Sequence, residues 1–71
     1  MYRFEHGGYL AVVEREQGRD DWCWSTYRQD TYEGDRCWTS VLSAYEPTLE
    51  AAQAKAEWAL LAHVERSKVR P

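Results

Sequence analysis

Residues 47–66 have the sequence PTLEAAQAKAEWALLAHVER, and this stretch decides the fold because it carries the signs of one long helix. Pro47 cannot donate a hydrogen bond to a ladder, so it ends the strand before it. Thr48 is suited to cap a helix, and Glu50 places an acidic group in the first turn, where it complements the helix dipole. We therefore predict a helix over about residues 48–66.

The apolar residues of this helix occupy two faces rather than one. At 100° per residue, one set falls within an arc of roughly 100°, and a second set lies opposite, around Trp58 and Leu61. If the first face packs on a sheet, Trp58 and Leu61 are exposed, and aromatic residues are enriched at protein interfaces. If the helix is rotated instead, Trp58 belongs to the core and the second face disappears. The first face comprises Leu49, Ala52, Ala56, Ala59, Leu60 and His63, with Val64 at its edge.

Four segments before the helix have the alternation or the aromatic and β-branched content of strands: 2–5, 9–15, 22–28 and 36–44. Turns are predicted at His6-Gly7-Gly8 and at 17–21, and a polar loop at 29–35. The expected fold is α+β, an antiparallel meander of three or four strands within residues 2–45, packed against one C-terminal helix. Residues 1–71 form a single domain in this interpretation, with a frayed basic tail over 67–71.

Composition excludes several classes of protein. Nine basic and 12 acidic residues give a net charge of −3, which disfavours direct nucleic-acid binding because phosphates attract a basic surface. No apolar run approaches the ~18 residues that span a membrane, and the N-terminus lacks the apolar segment of a signal peptide. We expect a cytoplasmic protein, in the host cytoplasm if a phage encodes it.

Two cysteines flank the predicted loop. If the strands pair around Asp30, Cys23 lies opposite Cys37 and Trp22 lies opposite Trp38. A disulfide between directly opposed strand residues is possible but strained, and a reducing cytosol favours two free thiols instead.

Recognisable catalytic and metal-binding motifs do not occur in the sequence. Adding His6 and His63 to the two cysteines gives no Cys-x-x-Cys or His-x3-His spacing, so no zinc site is predicted. Nucleophile elbows, phosphate-binding loops and His-Glu-x-x-His sequences are also missing. We therefore expect no metal, no cofactor and no enzymatic activity.

The aromatic residues of the predicted sheet allow two interpretations. They form either a stacking platform for bases or sugars or a set of cross-strand pairs inside the core. Acidic residues flank them in the loops and would repel phosphate, which favours the core. The residues are Trp22, Trp24 and Trp38, with Tyr27 and Tyr32 nearby.

Two acidic segments suggest a more specific hypothesis. Asp20-Asp21 and residues 30–35 would project carboxylates from the same end or edge of the sheet. A row of carboxylates imitates the phosphates of a duplex and fits a basic groove on a nucleic-acid-handling protein. The alternative is that these are ordinary solvated loops, partly neutralised by neighbouring arginines.

The order of elements resembles a loose class of proteins. A Trp22-Cys23-Trp24 strand, a short hairpin and a Pro-Thr-Leu-Glu-Ala-Ala helix with spaced alanines resemble small bacterial and phage-borne β-β-β-α proteins. Some of these inhibit host defence complexes such as CRISPR effectors. The resemblance covers about residues 9–64 as a pattern and transfers no site residue. The helix also resembles the last helix of double-stranded-RNA-binding domains, but it starts Thr48-Leu49-Glu50 rather than with that family's basic residues.

These observations favour a non-enzymatic protein–protein interaction module that occupies the surface of a partner. The setting we expect is a phage or mobile-element inhibitor, with a nucleic-acid-handling complex as partner. The alternative is a small homodimeric bacterial protein that uses the Trp58 face, and a weaker one is a nucleic-acid or nucleotide binder. The predicted partner-binding residues are Trp58, Leu61, Asp30, Tyr32, Glu33 and Asp35.

Overall fold

The computed structural model describes residues 1–68, which form one four-stranded antiparallel sheet and one helix. The strands follow one another in the sheet in chain order, so the sheet is a meander. This confirms the predicted α+β architecture and fixes the number of strands at four. The elements are β1 (Tyr2–His6), β2 (Tyr9–Glu14), β3 (Trp22–Tyr32), β4 (Asp35–Glu46) and α1 (Leu49–Lys68).

The segment predicted as a loop over 29–35 is mostly strand, so that prediction was wrong. β3 continues to Tyr32, β4 begins at Asp35, and only Glu33 and Gly34 form the turn, both with positive φ (50° and 84°). β2 reaches only Arg28 of β3, so the rest of this hairpin is a two-stranded ribbon. Because no third strand supports the ribbon, its residues need no apolar alternation, and their polarity resembled that of a loop.

The position of this turn also corrects the predicted pairing around Asp30. Cys23 lies opposite Tyr45, and Cys37 lies opposite Asp30, so the two cysteines are not neighbours. Both are free thiols. Trp22 and Trp38 are likewise not opposite each other, since they pair with Glu46 and Gln29.

The helix packs across β2 and β3 with the first of its two apolar faces. Small alanines let the helix lie close to Ala11, Val13 and Trp24, while Leu60 fills the space between them. The predicted inner face is therefore confirmed, and the rotated helix with Trp58 in the core is wrong. The buried helix residues are Ala52, Ala56, Ala59, Leu60 and Val64.

The predicted start of the helix is confirmed by its cap. Thr48 Oγ1 accepts a hydrogen bond from the backbone N–H of Ala51 at 3.1 Å, which satisfies one of the free donors of the first turn. At the other end the helix continues to Lys68, beyond the expected end at Arg66. The first part of the predicted frayed tail is thus helical, and residues 69–71 lie outside the described residues. Within residues 1–68, no helix combines the length and the apolar character required to cross a bilayer.

Candidate protein-interaction surface

Trp58 and Leu61 lie on the side of α1 that faces away from the sheet. Their exposed fractions are 66% and 56%, although they are among the largest apolar side chains of the protein. The Lys55 ammonium nitrogen lies 6.0 Å from the centre of the Trp58 ring, which leaves most of the ring open to solvent. The sequence prediction that these two residues are exposed is therefore confirmed by their position.

A groove runs beside Trp58, between α1 and β4. It exists because the helix covers β2 and β3, so that β4 extends beyond the cover. Val41 and Leu42 line it from the strand, with exposed fractions of 42% and 44%, and Trp58 and Ala62 line it from the helix. The volume of this groove is about 290 Å³. Its lining joins the helix face to the strand as one apolar surface.

A β-bulge brings two successive residues of β4 into this groove. Leu42 pairs with Thr26 and Ser40 pairs with Tyr27, which leaves Val41 as an extra residue. Sequence analysis missed Val41 and Leu42 as site residues. Their signal was present, because two adjacent large apolar residues interrupt the alternation of a strand with one solvated face.

The charges at the end of the groove nearest the helix C-terminus are basic. Arg66 lines the groove together with His63, and no carboxylate is among its described lining residues. A neighbouring cleft of about 330 Å³ shares Arg66, His63 and Val41 and adds Arg28. Burial, reinforced by the nearby Arg66 charge, lowers the pKa of His63, so its imidazole remains neutral at neutral pH. The positive charge here is that of the arginines.

Trp58 also borders a second groove on its other side. That groove has a volume of about 400 Å³ and is lined by Leu61, His6 and Lys68 among others. Trp58 is thus a ridge between two depressions. A projecting aromatic side chain flanked by grooves is a shape that a complementary protein surface can enclose on both sides.

The acidic segments do not form the predicted row of carboxylates. Asp21 precedes β3 and Asp30 lies near its far end, which at strand spacing separates them by about 30 Å. Asp21 accepts two hydrogen bonds from Arg19, at 2.8 and 2.9 Å. Asp21 thus lies at one end of the β3–β4 hairpin and residues 30–35 at the other, so the two segments do not project from the same end of the sheet.

The carboxylate of Asp30 is bound by two neighbouring side chains on the ribbon. The Thr39 hydroxyl donates to its carboxylate at 2.6 Å, and the Arg28 guanidinium donates at 3.1 Å. These two contacts lower the pKa of Asp30, so it stays ionised but paired. Tyr32, Glu33 and Asp35 lie at the ribbon tip, and Tyr32 is 70% exposed. The structure thus separates these residues from Trp58 and Leu61 rather than joining them in one site.

The aromatic residues of the sheet do not form one stacking platform. Trp24 is buried under the helix, and its indole N–H donates to Glu46 at 3.2 Å. Trp38 pairs with Gln29 and therefore projects from the opposite face of the sheet. The described residues also include no group of three or more His, Cys, Asp or Glu side chains placed to hold a metal ion.

Comparison with known proteins adds no identification. No protein-family model matches the chain, and no significant match was found among curated proteins or solved structures.

Proposed function

We propose that this protein is a non-enzymatic protein-binding module whose contact surface is the outer face of α1 and the adjoining groove. The observation that carries the proposal is the continuity of four exposed apolar side chains, Trp58, Leu61, Val41 and Leu42. Scattered apolar residues are ordinary on a protein surface, whereas a contiguous group around a tryptophan is characteristic of a binding site.

Stability of the fold does not account for these side chains. The buried face of the helix already covers the sheet, and Trp58 and Leu61 contribute nothing to that layer. Leaving a large apolar side chain in water forgoes roughly 1.5–3 kcal/mol that burial would supply. A partner that covers Trp58 and Leu61 recovers this free energy at the interface.

The biological setting we propose is inhibition of a host defence complex by a phage or mobile element, in the cytoplasm. Support comes from the layout of a short meander and an alanine-rich helix, which resembles proteins of that kind. A small domain acting as an inhibitor needs only to occupy a partner's working surface, which agrees with a site made of exposed apolar contacts and no catalytic group.

Affinity capture with matched variants tests the binding surface. The wild-type chain and a Trp58→Ala/Leu61→Ala variant serve as baits in extracts of candidate host bacteria. A Tyr32→Ala variant, which removes an exposed aromatic residue at the ribbon tip, is the control. We expect one specific partner to bind the wild type and the control and to bind the double variant at least tenfold less. Equal capture by all three baits would contradict the proposal.

The inhibitory role is tested separately in cells. The chain is expressed in bacteria that carry an active CRISPR system directed against a plasmid, and plasmid survival is measured. An inhibitor restores survival, and the Trp58→Ala/Leu61→Ala variant does not. Failure to restore survival against every system tested, combined with a partner outside host defence, would overturn this setting while leaving the binding surface intact.

A further inference from the structure

The two edges of the sheet differ in a way that indicates a second binding mode. β1 carries Arg3, Glu5 and His6 within its five residues, and charges on an edge strand prevent pairing with another chain. β4 forms the opposite edge, and no described residue pairs with its outer side. Residues 38–45 of β4 contain no charged group at all. The longest strand of the sheet therefore presents an unpaired backbone that no charge protects over these eight residues, and its one irregularity is the bulge at Val41.

We propose that a second copy of this chain occupies that edge, with the two β4 strands antiparallel about a twofold axis between Val41 and Leu42. The result is a continuous eight-stranded sheet with both helices on the same face. This interface goes beyond the proposed function, because it needs no other protein.

The bulge places the two strands in phase. In a regular strand, side chains alternate between the two faces of the sheet. If a twofold axis passed between two adjacent residues of such a strand, every residue would lie opposite one whose side chain is on the other face. Two copies of a regular strand therefore cannot pair about such an axis. The extra residue at Val41 shifts the alternation by one. Residues that lie opposite each other across the two copies, such as Ser40 and Ser43, then project from the same face.

The side chains brought together in this register match in character. Leu42 meets Val41 on the helix side, and Ser43 meets Ser40 on the other side. Ala44 meets Thr39. Tyr45 meets Trp38, although the Tyr45 ring is already stacked against Arg19 of its own copy, at 4.0 Å. Cross-strand pairs of these types stabilise sheets, each by a small amount. Complementarity over eight successive positions is what distinguishes a second copy from an arbitrary strand.

The dimer covers the strand side of the groove, formed by Val41 and Leu42, and leaves the helix side around Trp58 exposed. Val41 and Leu42 of both copies meet at the axis, where four apolar side chains shield one another. Each helix lies above β2 and β3, so the helix axes are about four strand spacings apart, roughly 19 Å. With helix diameters of about 10 Å, a cleft remains between them, walled by Trp58 of each copy. A partner can still bind Trp58 and Leu61.

Sedimentation velocity from about 10 µM to about 1 mM tests the dimer on the purified chain alone. We expect the wild type to shift from monomer to dimer across this range. Val41→Lys places two like charges at the axis, on a residue that has no partner in β3, and should remain monomeric with unchanged circular dichroism. Leu61→Lys adds the same charge at an exposed helix position and should dimerise like the wild type. The proposal would be overturned if the wild type stayed monomeric, or if the Val41→Lys variant dimerised as strongly as the wild type.

Disulfide trapping tests the register. Ser40→Cys and Ser43→Cys are made separately and oxidised alone and as a mixture. Each variant also carries Cys37→Ser and Cys23→Ser, because Cys23 Sγ lies 4.0 Å from Ser43 Oγ in the same copy. In this register Ser40 of one copy lies opposite Ser43 of the other, so the mixture should form a covalent dimer. The single variants should not, because their new thiols are about 10 Å from their own symmetry copies. A covalent dimer in either single sample, or its absence from the mixture, would exclude this register.

Discussion

Thr26 and His63 meet between the sheet and the helix, where Thr26 Oγ1 lies 3.0 Å from His63 Nε2. Thr26 is completely buried in β3, and His63 lies at the edge of the inner face of α1, with the Tyr9 ring stacked on its imidazole. Among the described residues, every buried side-chain nitrogen and oxygen has a hydrogen-bond partner. This contact therefore joins the helix to a central strand at a defined position.

Replacing Thr26 with valine should lower the free energy of unfolding by about 1 kcal/mol, because the shape is kept while the hydrogen bond is lost. Thr31→Val makes the same change at an exposed position of β3 and should have little effect. Urea denaturation monitored by circular dichroism measures both. Equal stability of Thr26→Val and the wild type would show that the contact contributes nothing to folding.

The same contact predicts how stability depends on pH. Burial and Arg66 lower the pKa of His63 below its usual 6.5, so the unfolded chain takes up the proton at a higher pH than the folded one. Folding is then favoured fully above about pH 6.5, and stability should fall as the pH decreases towards the lowered pKa. Thermal unfolding between pH 7.5 and pH 5 measures this effect. His63→Gln should flatten the decline, whereas His6→Gln should preserve it; a decline that persists in His63→Gln would refute the assignment.

Replacing Trp24 with alanine should destabilise the fold strongly, whereas replacing Trp58 with alanine should hardly change its stability. Trp24 is buried against the helix, so Trp24→Ala should cost about 3–5 kcal/mol, close to the whole stability of a domain this small. Trp58 contacts little of the fold, so Trp58→Ala should change the free energy of unfolding by no more than about 0.5 kcal/mol. Urea denaturation measures both changes. In the wild type, iodide should quench the fluorescence of the exposed Trp58. A large loss of stability in Trp58→Ala would instead mean that the Trp58 side chain belongs to the core.

Periodicity was sufficient to predict the packing of the helix but not the extent of the binding surface. The spacing of Ala52, Ala56 and Leu60 fixes which face is buried, and so exposes Trp58. The spacing does not determine which strands the helix covers. The helix covers β2 and β3, and for that reason Val41 and Leu42 of β4 remain exposed. The ribbon beyond Arg28 was missed because a strand without a core beneath it lacks the alternation that identifies strands.

Cysteine chemistry provides a test of the hairpin register. Cys37 lies opposite Asp30, seven residues along β3 from Cys23, which corresponds to about 24 Å. Bridged cysteines have Cα atoms within about 7 Å of each other, so no disulfide can form within the chain. We expect a thiol reagent to label half-buried Cys37 in the native protein and buried Cys23 only after unfolding. An intramolecular disulfide detected by mass spectrometry after mild oxidation would contradict the register.

In the turn between β1 and β2, a side chain at Gly7 should destabilise the fold much more than a side chain at Gly8. Gly7 and Gly8 both have positive φ, at 59° and 84°, so alanine at either position incurs backbone strain of about 1 kcal/mol. A Cβ atom at Gly7 would also lie 2.8 and 2.9 Å from the two methyl carbons of Val64, whereas at Gly8 nothing lies within 4 Å.

Val64 cannot move aside easily, because it is buried and its β-branched side chain has few rotamers. Gly7→Ala should therefore cost about 2–4 kcal/mol, the strain plus the cost of overpacking, and Gly8→Ala only about 1 kcal/mol. Combining Gly7→Ala with Val64→Ala separates the two contributions. If the contact with Val64 is the cause, the double variant loses less stability than the sum of the single variants, as measured by urea denaturation. Additive losses would mean that the turn and the helix do not meet at this point.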